Sequence, residues 1–132
     1  MHNQHGQWVK DALDVASKSH VKTKHGCIII DSHGSVVSTG CNRYEGVQNI
    51  YKPYRRGERL SCHAEEMALR SADPRRLMGA KLYVVRVSHD HTPMNSKPCN
   101  RCTILIEKYM CKYGLKKVYY SEGAKGNLEE KL

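Results

Sequence analysis

The chain has no run of apolar residues long enough to cross a bilayer, which leaves no candidate for a membrane-spanning helix. Its first 20 residues, MHNQHGQWVKDALDVASKSH, are polar and amphipathic, so neither an export signal nor an anchor is expected. No internal repeat and no low-complexity stretch is present, which sets aside solenoid and fibrous architectures. Acidic residues are scarce beside basic ones, 13 against 22, and the formal net charge is +9. A field of that sign attracts phosphates and other anions. The 132 residues suffice for one domain with a real core but not for two, so 1–132 reads as a single domain. Without an export signal the setting is expected to be intracellular, cytoplasmic with the nucleus left open. The six cysteines are then read for metal binding before disulfides.

Two short motifs carry the chemistry: His63-Ala64-Glu65 and, 36 residues further on, Pro98-Cys99-Asn100-Arg101-Cys102. Two thiolates and a neutral imidazole can hold a zinc ion tetrahedrally, and with no fourth protein ligand in the motifs a water takes the remaining position. Glu65 is too close to His63 to ligate comfortably beside it, which leaves it to move protons at that water. Cys27, Cys41, Cys62 and Cys111 read as buried small hydrophobes. His2, His5, His20, His25, His33, His89 and His91 lack ligand spacing and read as surface or turn residues, the alternative for His89 and His91, in the loop before Pro98, being to line the pocket or to close the zinc shell.

The hydrophobic periodicity places these motifs on elements. Gln7 to Ser19 reads as a helix with Trp8, Ala12, Val15 and Ala16 on one side. Cys27 to Asp31 and Val36 to Gly40 read as a hairpin turned by Ser32-His33-Gly34-Ser35, which delivers Asn42 to the sheet end. His63 opens a second helix, limited by Pro74. Ala80 to Val87 is a third strand. Cys99 opens a third helix with Cys102, Leu105, Ile106, Tyr109, Met110 and Tyr113 on one stripe, ended by Gly114. Leu115 to Tyr120 follows as a fourth strand, parallel to the third because a helix joins them. Any fifth strand, over Asn127 to Leu132, has too short a connection for a crossover and must return antiparallel. Both motifs then sit at helix N-termini, where backbone amides and the helix dipole favour thiolates.

The H-x-E and P-C-x-x-C pair resembles the signature of the cytidine and deoxycytidylate deaminase superfamily. Thr39-Gly40-Cys41-Asn42 looks like that family's Thr-Gly-x-Asn strand end, and HAEEMALR (63–70) is similar to the matching segment of tRNA adenosine deaminases. The resemblance implies a three-layer α/β/α sandwich on a mixed four- to five-stranded sheet and one zinc per subunit on His63, Cys99 and Cys102. It implies Glu65 as the catalytic proton shuttle, with water attacking C4 of cytosine, ammonia leaving and uracil remaining. It also implies substrate contacts from Asn42, to the sugar or base, and from the Ala64 backbone N–H, to the pyrimidine O2.

The substrate clues pull apart. His-Ala-Glu, where free-nucleoside deaminases usually carry Cys-Ala-Glu, resembles the deoxycytidylate, tRNA and polynucleotide members. An antiparallel fifth strand resembles the free-nucleoside class. Between Asn42 and His63, basic residues alternate with tyrosines, and Arg55, Arg56 and Arg59 are candidates for phosphate or nucleic-acid contacts. The expected substrate is a (deoxy)cytidine nucleoside or nucleotide. Cytosine in single-stranded nucleic acid is the alternative, adenine in tRNA the third, and a basic nucleic-acid-binding module with structural zinc the reading from another class. A membrane partner is not expected; assembly into identical copies is.

Overall fold

Three consecutive isoleucines after Cys27 dictate the centre of the molecule, because a β-branched run with apolar residues at every position suits a strand covered on both faces. The structure, a computed structural model, describes residues 4–19, 24–44, 61–87, 93–94, 99–122 and 127–131. In chain order these form α1 (Gln4–Ala16), β1 (Lys24–Ile30), β2 (Val36–Cys41), β3 (Arg43–Tyr44), β4 (Ser61–Cys62) and α2 (Ala64–Ser71). A 3₁₀ turn at Pro74–Arg76 follows, then β5 (Lys81–Val87), β6 (Pro93–Met94), α3 (Asn100–Tyr113), β7 (Lys117–Glu122) and β8 (Asn127–Lys131).

The main sheet runs β2-β1-β5-β7-β8, with β6 added alongside β5. β1 is antiparallel to both β2 and β5. β5 and β7, joined through α3, are parallel, and β8 returns antiparallel to β7. This is the mixed sheet expected from connection lengths, fifth strand included. Alternation decides what covers it. Cys27 and Ile29 of β1, with Leu82 and Val84 of β5, face one way, into a cluster with Ala64, Ala68 and Leu69 of α2 and Ile106 of α3. Ile28, Ile30, Tyr83, Val85 and Val87 face the other way, against Ala12 and Ala16 of α1. Each buried Ile, Leu or Val among them contributes about 1.5–3 kcal/mol by leaving water. Three layers result, α1 on one side and α2 with α3 on the other.

Some boundaries and burials depart from the sequence reading. α1 ends at Ala16 rather than Ser19, and the Ser19 hydroxyl instead donates to the Asn42 carbonyl at 2.6 Å. Cys27 is buried as expected, but Cys41 is only half-buried and Cys111 is exposed. Cys111 lies off the apolar stripe of α3, so helical phase and not residue type fixes its exposure. Cys62 has no described side chain. Among the described residues, no helix is long and apolar enough to cross a membrane.

The helices sit close to the sheet because glycine lies beneath two of them. A methyl group on Gly26 would meet the α1 backbone at Ala12 and Ala16, and one on Gly40 would meet the α2 backbone at Ala64 and stand 2.7 Å from the Ala68 nitrogen. The Ser38 hydroxyl, donating to the Ala68 carbonyl at 2.6 Å, ties β2 to α2 nearby. Gly40→Ala is therefore expected to lift the helix that begins at His63, lowering unfolding free energy in urea by about 1–3 kcal/mol. A loss within about 0.5 kcal/mol, the range of an ordinary surface substitution, would contradict the close seating of α2.

Candidate metal centre

His63 and Cys99 are both helix N-caps, held in extended backbone conformation (φ −80°, ψ 152° and φ −69°, ψ 171°) as α2 and α3 begin. Cys102 lies in the first turn of α3, and its backbone N–H donates to the Cys99 sulfur at 3.5 Å. The fold thus brings two helix starts together. His63 Nδ1 stands 3.2 Å from Cys102 Sγ and 3.5 Å from Cys99 Sγ. All three donor atoms lie within 4.8 Å of one another, and no other such group occurs among the described residues.

These separations can be tested against zinc. Bonds of about 2.3 Å to sulfur and about 2.0–2.1 Å to nitrogen, at the tetrahedral angle, set nitrogen and sulfur roughly 3.5 Å apart. The donor set fits the ion. Cys102 is buried, His63 half-buried and Cys99 exposed, so one side of the triad faces solvent.

Charge at the site departs from the simple helix-dipole expectation. Burial pushes the Cys102 thiol well above its ordinary value, and the charges of Glu65 and Cys99 add to that push. The N-terminal amides therefore do not suffice to make a thiolate of Cys102. A cation held beside the sulfur would supply what they lack.

Glu65 is buried at 4 % exposure. Burial raises its carboxyl to about 7, its own backbone N–H opposing and the Glu66 charge adding. An acid poised there can both accept and release a proton near neutral pH. Its charge also raises the thiols of Cys102 and of the buried Cys27. Ala64 is the first residue of α2, so its N–H is one of those a helix leaves for an acceptor outside itself.

Asn42 is buried beyond the end of β2 and fastened to β1. Its Oδ1 accepts the His25 N–H at 2.8 Å, and Nδ2 stands 3.3 Å from His25 Nδ1. Arg55, Arg56 and Arg59 lie outside the described residues, as do His89 and His91.

One pair at this site was not anticipated. Glu66, 3 % exposed, takes Arg101 Nη2 between its two oxygens at 2.7 and 2.8 Å, and its Oε1 accepts the His63 N–H at 3.2 Å. Arg101 holds the Glu66 carboxyl in its charged form, below the usual carboxylate range despite the desolvation that opposes it. The signal lay inside the motifs, as the second glutamate of HAEE and the arginine of CNRC.

Residues 2–122 match the family described as the cytidine and deoxycytidylate deaminase zinc-binding region. Among solved structures the chain is similar to cytidine deaminase from Burkholderia pseudomallei, with TM-score 0.63, 19 % identity, and 96 % of this chain and 91 % of that one covered. It is also similar to the dCMP deaminase of cyanophage S-TIM5 in apo form, with TM-score 0.57, 21 % identity, and 96 % and 89 % covered. The same phage enzyme in complex with dCMP and dUMP gives TM-score 0.56 at 21 % identity, covering 92 % and 84 %. At such identities these likenesses concern the fold. No curated protein matches the chain.

Protein purified without chelators is expected to carry one zinc per chain on the His63, Cys99 and Cys102 cluster, and His63→Ala to carry a small fraction of that. Elemental analysis checks both. Wild-type protein free of metal, or a His63→Ala protein with full zinc, would remove the centre.

Proposed function

Since the chain belongs to the cytidine and deoxycytidylate deaminase family of zinc-dependent hydrolases, we propose that its centre converts cytosine to uracil in a (deoxy)cytidine nucleoside or nucleotide, releasing ammonia. The observation that carries this reading is the buried Glu65 carboxyl beside a three-donor cluster of zinc dimensions. A purely structural zinc has no use for such an acid.

The residues divide the work. His63, Cys99 and Cys102 hold the ion, which when bound lowers the pKa of a water in the position these three leave. Two thiolates and a neutral imidazole cancel the charge of a divalent cation, so the ion alone is a modest activator and a base is needed close by. Glu65 accepts a proton from the attacking water and delivers it to ring nitrogen N3 as oxygen adds to C4. It then passes the water's second proton to the exocyclic amine. The C4–N bond breaks, ammonia leaves and a carbonyl remains at C4. A carboxyl near 7 suits both directions of transfer. Asn42 is assigned to the sugar or base, its amide oriented by His25, and the Ala64 N–H to the pyrimidine O2.

Two features bear on the carrier of the base. The net charge of +9 favours a phosphorylated substrate, while the antiparallel β7–β8 pair resembles the free-nucleoside class. The reading therefore keeps both nucleoside and nucleotide. Thiol ligands also favour a reducing, intracellular compartment.

The zinc-loaded chain should release ammonia from at least one of cytidine, deoxycytidine and their monophosphates, and little from adenosine or a single-stranded oligonucleotide. Conversion of the oligonucleotide alone would overturn the small-substrate reading and point to a polynucleotide deaminase. No ammonia from any of them would point to the nucleic-acid-binding module. Glu65→Gln should keep its zinc and lose at least ~10²–10⁴-fold in turnover. Activity within a few-fold of wild type would put the proton shuttle elsewhere.

A further inference from the structure

A carboxylate as deeply buried as Glu66 is tolerated only when its charge is answered, and here the answering donors come from separate parts of the chain. The His63 backbone N–H reaches Oε1 at 3.2 Å from the start of α2. Arg70, one turn along, stands 3.5 Å from Oε2. Arg101 comes from α3, and a single nitrogen, Nη2, bridges both oxygens at 2.7 and 2.8 Å. One oxygen of Glu66 thus accepts from the residue that supplies the imidazole and from the residue lying between the two cysteines.

This arrangement connects the two halves of the donor set without using a donor atom. The imidazole belongs to α2 and both sulfurs to α3, and His63 and Cys99 are 36 residues apart. Before a cation arrives, a link outside the donor atoms is needed to hold the two halves in register. Arg101 supplies it: its guanidinium, carried by α3, pairs with the Glu66 carboxylate of α2.

We propose that Glu66 and Arg101 form a clamp that presets the spacing of His63 from Cys99 and Cys102, and thereby sets the affinity of the centre for zinc. They are positioning residues, reaching the ion only through the backbone that carries its ligands. The proposal rests on the metal-centre reading above. Without the clamp the binding energy of the ion must also draw α2 and α3 together, which weakens binding.

The test is zinc affinity of the full-length metal-free chain, measured by competition with a chromophoric chelator, with helix content followed by circular dichroism. Arg101→Ala is expected to bind zinc about 10–100-fold more weakly than wild type. Arg101→Lys is expected to recover most of the loss, because one nitrogen makes the whole contact. A role in stability alone would lower the unfolding temperature and leave the affinity of the folded protein unchanged. Arg101→Ala leaves Glu66 with the exposed Arg70 and is the variant at risk of not folding. The paired change Glu66→Gln with Arg101→Met removes both charges together, and it too should lose affinity in the same range. Affinity within about two-fold of wild type, in folded Arg101→Ala or in the paired variant, overturns the clamp. A wild-type chain that takes up no zinc overturns the metal-centre reading and the clamp with it.

Discussion

Three donor atoms from positions 63, 99 and 102 must meet within 4.8 Å, and two of them come from a different helix than the third. Helix starts can satisfy that demand because an N-cap is the last residue before the helix becomes rigid, so its side chain is carried at a fixed angle to a rigid rod. The sheet then fixes where the rods begin. β1 and β5 are buried on both faces, which leaves α2 and α3 one way to lie. Glycine at position 40 lets α2 approach more closely than any side chain there would permit.

The same constraint governs the electrostatics. Helix N-termini offer amides to anions, yet burial outweighs them at Cys102, whose thiol it pushes up, and at Glu65, whose carboxyl it raises to about 7. Glu66, equally hidden from solvent by side-chain exposure, stays charged because Arg101 faces it. Neighbouring glutamates on one helix turn thus differ in how readily they give up their charge. Glu65 is left as an acid able to give and take a proton, and Glu66 becomes a fixed charge between two helices.

Much of this was legible in the sequence for identifiable reasons. The metal donors fall in two motifs with the spacing of ligands, and the strands show either β-branched runs or connections whose length dictates direction, as the β8 return does. What was not legible depends on pairings that sequence spacing does not encode. Glu66 and Arg101 are 35 residues apart and meet because the sheet brings their helices together. The bond between Asn42 and His25 has the same origin, since it joins the end of β2 to β1. Cys111 was misjudged because a cysteine is buried only when its helical phase turns it inward.

The proposed chemistry needs an ion held by two sulfurs and one ring, with a solvent position left for Glu65 to act on. Zinc-edge X-ray absorption of the loaded protein measures that shell directly. The expected result is two sulfur neighbours at about 2.3 Å and two nitrogen or oxygen neighbours at about 2.0–2.1 Å, with the outer scattering of a single imidazole. A third sulfur, a second imidazole, or a shell without sulfur would contradict it.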